Sequence, residues 1–349
     1  MIATIQRSAL VALFIGAALS AWLCVRWFGV HLGVPLAALL GVFCVIAIHP
    51  FLVATNFFLS RIAASDVPKG MRLSPWEALK TYDAELDASV RGFWFAHPFL
   101  SHRLAPEPVA PLRASPLLFV HGYFCNRALW LPFMRAAARR GFVCEAVTLA
   151  APFDDIDHYA DTIAIAIDAL LARARECGVA ADRVVVIAHS MGGVAVRAAI
   201  RRHGAARIAR VITLGAPHAG TLHAWIGGAT NVRQMRRHSK WLGELDAFEA
   251  AHEHDAPPDT TVLSRARYTT VFSYHDNIVA PQETARLAGA HNVALAGIGH
   301  VSLVYSQRVR EVVFAELDAI EAAGRASLID HAPPRYDPLP LEGGGLGRG

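Results

Sequence analysis

The residues best suited to chemistry are a serine, a carboxylate and a histidine, each of which follows a short apolar run. The run Val184 to Ala188 (VVVIA) leads into His189-Ser190-Met191-Gly192-Gly193 and then into the helical stretch VAVRAAI. A strand, a sharp turn and a helix in that order lift a serine out at the turn, and small neighbours leave room for its strained backbone. Ala188 stands where such turns usually carry glycine; alanine is the smallest side chain that can replace it, so the steric case survives. A serine hydroxyl is a weak nucleophile at neutral pH. It needs a base to accept its proton and a carboxylate to orient that base.

With 17 histidines in the chain, position must select the base. His300, in GIGHVSLV, follows the run Asn292 to Ala296, and Asp276, in SYHDNIVAP, follows the run Thr269 to Tyr274. Both therefore sit at the strand end that also delivers Ser190. His291 precedes its strand, and His252 and His254 lie in a polar stretch where a solvated histidine is the default. Asp246, Asp255 and Asp259 precede the strand before Asp276, which leaves Glu283 as a weaker substitute acid.

Acyl transfer also needs hydrogen-bond donors for a developing oxyanion. Met191 N–H, directly after the serine, supplies one. The loop after the first core strand, His121-Gly122-Tyr123-Phe124, supplies the other, with Tyr123 N–H expected and Phe124 the alternative if the turn is shifted by one. Phe124 and His189 are expected on the substrate-binding wall. In GAPHAGT, His218 and Thr221 follow the strand beside Ser190 and either line the pocket or, for the histidine, satisfy the loop. No metal site is expected, because His252, Glu253 and His254 lack the helical H-E-x-x-H spacing.

These groups require an alternating scaffold. Strands are expected at 116–120, 143–149, 183–188, 209–214, 269–274 and 292–296, with helices at 131–140, 157–176, 190–202 and 303–323. Continuous apolar strands alternating with amphipathic helices specify an α/β fold: a mostly parallel sheet covered on both faces. Residues 221–267 interrupt the rhythm as a helical cap insertion. A helix at 75–89 and an extended, proline-broken stretch make residues 63–114 a linker to the catalytic domain at 115–325, and the Pro- and Gly-rich tail at 326–349 is expected to be disordered.

Hydrophobic residues form 54% of the chain and the mean hydropathy is +0.34, an excess concentrated in the first sixty residues. Residues 8–25 carry no charge and are about as long as the roughly 20 residues that cross a bilayer. Residues 32–59 form a second uncharged run, with a kink or end expected at His49-Pro50. Arg26 to His31 is read as the connection, so residues 1–62 become a transmembrane helical hairpin. A cleaved signal peptide would account for the first run and leave the second unburied. Arg7 before the first helix and Arg61, Lys69 and Arg72 after the second, against Arg26 in the connection, put both ends and the catalytic domain on the cytoplasmic side.

The net charge of +4 comes from scattered basic residues without a tract, which argues against nucleic-acid binding. The cluster Arg233, Arg236, Arg237, His238 and Lys240 reads either as a solvated helix face or as a contact for lipid headgroups. Five cysteines without C-x-x-C pairing give neither a disulfide framework nor a zinc knuckle.

Taken together, FVHGY, AHSMGG, TLGAPHAGT, HDNIV and GIGH, in this order between Pro116 and Leu303, resemble the bacterial triacylglycerol lipase and esterase family of α/β-hydrolases. The resemblance implies an ester or acyl-lipid substrate, an acyl-enzyme intermediate and no cofactor. The same triad serves thioesterases, amidases and acyltransferases. A non-catalytic membrane scaffold would be expected to lose at least one triad residue, and a transporter would need more than two helices without a membrane carboxylate.

Overall fold

The computed structural model describes residues 1–254 and 258–330, with side chains to residue 323. Most of the expected tail lies outside the described residues.

The chain opens with α1 (Ile2–Leu32), α2 (Val34–Ile46) and α3 (Ile48–Ile62). The expected connection at Arg26 to His31 is instead helical, and the reversal falls at Gly33, whose φ of 76° suits glycine and breaks the helix. Isolated charges such as Arg26 do not end a helix, whereas a residue in left-handed backbone does. The second run is divided at Ala47, three residues before Pro50, whose ring would clash with an unbroken helix four residues back. The two runs Ile2–Leu32 and Val34–Ile62 are each long and apolar enough to cross a bilayer.

Ser74 and Glu77 form a reciprocal capping box that starts α4 (Pro75–Ser89). Residues 101–116 form neither helix nor strand, whereas the first part of the expected extended stretch is instead a π-turn at Val90–Ala96 running into the short α5 (His97–Phe99). This segment packs between the hairpin and the domain. Tyr82 Oη donates to Pro50 O at 3.0 Å, Ser65 N–H donates to Gln282 Oε1 at 3.0 Å, and Gln6 Nε2 donates to Phe124 O at 2.9 Å. The hairpin is thus docked on the domain and not tethered to it.

The domain is built on six parallel strands, β1 (Leu117–Val120), β2 (Cys144–Val147), β3 (Val184–His189), β4 (Ile208–Leu214), β5 (Tyr268–Ser273) and β6 (His291–Leu295), in the order β2-β1-β3-β4-β5-β6. Every residue of β3 is buried, as an apolar strand covered on both faces must be. Alternate side chains serve the two layers. Leu118, Val184 and Val186 face α7 (Tyr159–Glu176) and α8 (Met191–His203), whereas Leu117, Phe119 and Val185 face α6 (Leu131–Arg139) and the C-terminal helix. Helix α7 presents Tyr159, Ile163, Ile167, Leu170, Leu171 and Ala174 along one stripe. Each such large apolar side chain contributes about 1.5–3 kcal/mol when buried.

The insertion after β4 contains α9 (Thr230–Gln234) and α10 (Lys240–His252), the latter capped by Ser239 Oγ, which accepts Leu242 N–H at 3.2 Å. It is fastened from below. Arg197 of α8, fully buried, donates to both carboxylate oxygens of Glu249 on α10, at 2.9 and 2.8 Å, and to Asp246 at 2.5 Å. The last helix is divided by Ser306 into α11 (Ser302–Tyr305) and α12 (Gln307–Asp330).

Candidate active site

Ser190 follows β3 directly, with φ 55° and ψ −130°. Non-glycine residues rarely hold such a conformation, which costs on the order of 1–3 kcal/mol. It persists because both sides are fixed: Ser190 N–H donates to Leu214 O at 2.9 Å, and α8, buried from Met191 to Ile200, cannot move. The loop facing it is equally constrained. A Cβ on Gly122 would lie 2.7 Å from the Ser190 Cβ, so only glycine lets this loop pass the serine.

His300 follows β6 and Asp276 follows β5, and the parallel register brings both to the Ser190 edge. His300 Nε2 lies 2.9 Å from Ser190 Oγ, and His300 Nδ1 lies 2.8 Å from Asp276 Oδ2. All three residues are buried. Asp276 is itself held, since its Oδ1 accepts the N–H groups of Ile278 and Val279, each at 2.8 Å. Burial alone would lower the His300 pKa, but the adjoining Asp276 carboxylate outweighs it and the net shift is upward from 6.5.

Two further residues support the histidine. Asn277 Oδ1 accepts the His300 N–H at 2.9 Å, and Glu85, from α4, accepts Val301 N–H at 2.9 Å and Ser302 N–H at 2.8 Å. Burial raises the Glu85 pKa, opposed by those backbone donors. The sequence reading missed both. Asn277 adjoins Asp276 and was within reach of it. Glu85 lies 216 positions from Val301, and its only local signal is its place among Thr81, Ala88 and Ser89 on the buried side of α4.

The remaining expected residues divide. Tyr123 and Ser190 border two cavities. Neither the Tyr123 nor the Met191 backbone N–H has a hydrogen-bond partner among the described residues. The loop before them is set by His121, whose Nε2 accepts Leu149 N–H at 3.0 Å, leaving Nδ1–H to donate to Gly122 O at 2.8 Å. Burial holds His121 down to about 4, so the ring is neutral. Phe124 and His189 line the larger cavity, of about 460 Å³. His189 donates from Nε2 to His300 O at 3.0 Å, and burial keeps its pKa well below the usual value. Thr221 lines the second cavity, of about 240 Å³, and donates to Ile278 O at 2.6 Å. His218 borders neither cavity: it is buried 3.1 Å from Thr213 Oγ1, on the loop side of Arg197.

The sequence pattern of the alpha/beta hydrolase family matches residues 117–331. Similar solved structures include the mature lipase BlEst2 of Bacillus licheniformis, with 20% identity over 62% of this chain and 96% of that one and a TM-score of 0.49. Lipase B of Aspergillus fumigatus shows 16% identity over 59% and 54%, with a TM-score of 0.43. The naproxen esterase of Bacillus subtilis shows 14% identity over 70% and 99%, with a TM-score of 0.40. With its family pattern covering more than half of its length, this chain belongs to the alpha/beta hydrolase family.

Proposed function

We propose that the chain is a membrane-anchored serine hydrolase that cleaves carboxylic esters through an acyl-enzyme intermediate. The observation that carries this reading is the unbroken line from Ser190 Oγ through His300 to Asp276, at 2.9 and 2.8 Å, beside a cavity of about 460 Å³. His300 Nε2 takes the proton as Ser190 Oγ bonds to the ester carbonyl carbon, and Asp276 stabilises the imidazolium that forms. The oxyanion receives the Tyr123 and Met191 N–H groups. Collapse of the tetrahedral intermediate breaks the bond to the alcohol, which leaves with the His300 proton. Water, deprotonated by the same His300, then releases the acid and restores Ser190.

The hairpin supports anchoring, and the flanking basic residues support a cytoplasmic catalytic domain. A reporter fused after Arg72 that is active only outside the cytoplasm reverses the sidedness. The reaction is tested by hydrolysis of p-nitrophenyl esters of rising acyl length. The wild type is expected to turn over at least one of them and Ser190→Ala none; a variant as active as the wild type excludes the mechanism.

A further inference from the structure

The walls of the larger cavity do not all come from the catalytic domain. Val53 and Asn56 belong to α3, and Ser89 and Phe93 to the end of α4 and the π-turn after it. A further apolar cavity of about 240 Å³ lies between Leu10 and Leu13 of α1 and Ile48 and Leu52 of α3. The two cavities share Phe93 and Phe124, whose rings stand 6.5 Å apart and nearly parallel, at 19°. The Phe124 carbonyl is the group that Gln6 of α1 holds, so the hairpin positions this partition directly. On the opposite side of Ser190, the cavity under the insertion reaches Ala224, Val232 and Met235. Ser190 therefore stands between two apolar arms, one ending on helices long and apolar enough to lie in a bilayer and one ending beneath the cap.

We propose that the acyl chain of a bilayer lipid occupies the first arm. It extends from Ser190 past Phe93 and Phe124 into the cleft between α1 and α3, so that long-chain substrate reaches the serine laterally from the membrane. This rests on the reading of Ser190 as nucleophile and of the hairpin as membrane-embedded. The position of the arm, against the two helices long and apolar enough to cross a bilayer, favours it over the cap side. Its far wall is made of Leu10, Leu13, Ile48 and Leu52, of which Ile48 and Leu52 expose apolar surface on their outer side that an acyl chain crossing from lipid never has to leave for water. A chain taking this course passes Asn56 and Ser89 and ends against α1 and α3 in a cleft where Gln6 and His49 are the polar members.

A long-chain alkyl fluorophosphonate with a diazirine at the end of its tail tests the course, because it bonds to Ser190 before its tail is photolysed. Adducts on Leu10, Leu13, Ile48 or Leu52 are expected. Phosphonylated Ser190 with the tail on Ala224, Val232 or Met235 overturns the proposal while leaving the serine mechanism standing, and failure to label Ser190 removes both. As a second measurement, Leu13→Trp is expected to lower the ratio of palmitoyl to butyryl ester turnover by about tenfold. An unchanged ratio, with tail adducts on the cap, contradicts the lateral course.

Discussion

The Glu85 carboxylate accepts the backbone N–H of Ser302 at 2.8 Å, and by this contact the segment before the catalytic domain reaches the loop that carries His300. The second oxygen of Glu85 holds Val301 in the same way. In the proposed mechanism Glu85 is a positioning residue, distant in sequence from the Val301 and Ser302 N–H groups it holds. Glu85→Ala strands two buried donors, each costing about 1–3 kcal/mol, and loosens the imidazole that must meet Ser190 Oγ. The kcat is expected to fall by about 10–100-fold with a smaller change in KM, and Glu85→Gln, which keeps one acceptor oxygen, is expected to recover part of it. Equal losses in both variants, confined to protein yield, would make Glu85 merely structural.

The pH profile follows from His300. In the proposed mechanism His300 must be neutral to accept the serine proton, and burial, which lowers its pKa, is outweighed by Asp276, so that the net shift is upward from 6.5. Activity should therefore rise with pH through an ionisation above 6.5. The stabilising contribution of the same group runs the other way: it is complete below 6.5 and is lost as pH rises through the folded-state value. Asp276→Asn should move the acid limb to lower pH and cut kcat by roughly 10⁴-fold, because the amide favours the wrong tautomer. Measuring kcat/KM from pH 5 to 9 for both proteins checks the shift; identical limbs would contradict it.

The turn at Ser190 stores strain that glycine would release. Ser190→Gly and Ser190→Ala both lack the hydroxyl, but only glycine adopts φ 55° and ψ −130° freely. The glycine variant is expected to be about 1–2 kcal/mol more stable than the alanine variant by denaturant unfolding. Equal stability would mean that the turn is not strained.

Arg197 makes a different stability claim. It is fully buried and its charge is met by Glu249 and Asp246 from α10. Glu249→Ala should cost about 3–5 kcal/mol, because it leaves a buried cation short of its main partner. The double variant Arg197→Met, Glu249→Leu should recover only part of that, because it removes the buried cation but leaves Arg265, which also pairs with Glu249, facing Asp246 alone. Thermal unfolding of the three proteins decides the matter, and a single variant with wild-type stability would show that Asp246 suffices.

The scaffold was legible in the sequence because apolar periodicity encodes it. VVVIA followed by HSMGG gives a strand, a turn and a helix from neighbouring residues alone, and Asp276 and His300 are marked by the strands they follow. Elements fixed by distant contacts were not legible. Glu85 looks like an ordinary acid of an amphipathic helix until Val301 and Ser302 are folded against it, and residues 90–99 look like the start of an extended stretch until the hairpin packs on them. The hairpin reversal was misplaced because Arg26 and His31 suggested a polar loop, whereas the backbone of Gly33 decided it. His218, next to the right strand, turned toward Thr213, since loop direction is set by tertiary packing that position along the chain does not encode.

Labelling with a small fluorophosphonate, followed by mapping of the modified peptide, tests the central claim most directly. A single adduct on Ser190 that forms in step with loss of ester hydrolysis, and that is absent from heat-denatured protein, is the expected result. An adduct on another serine, or full activity in protein whose Ser190 is modified, would contradict the account.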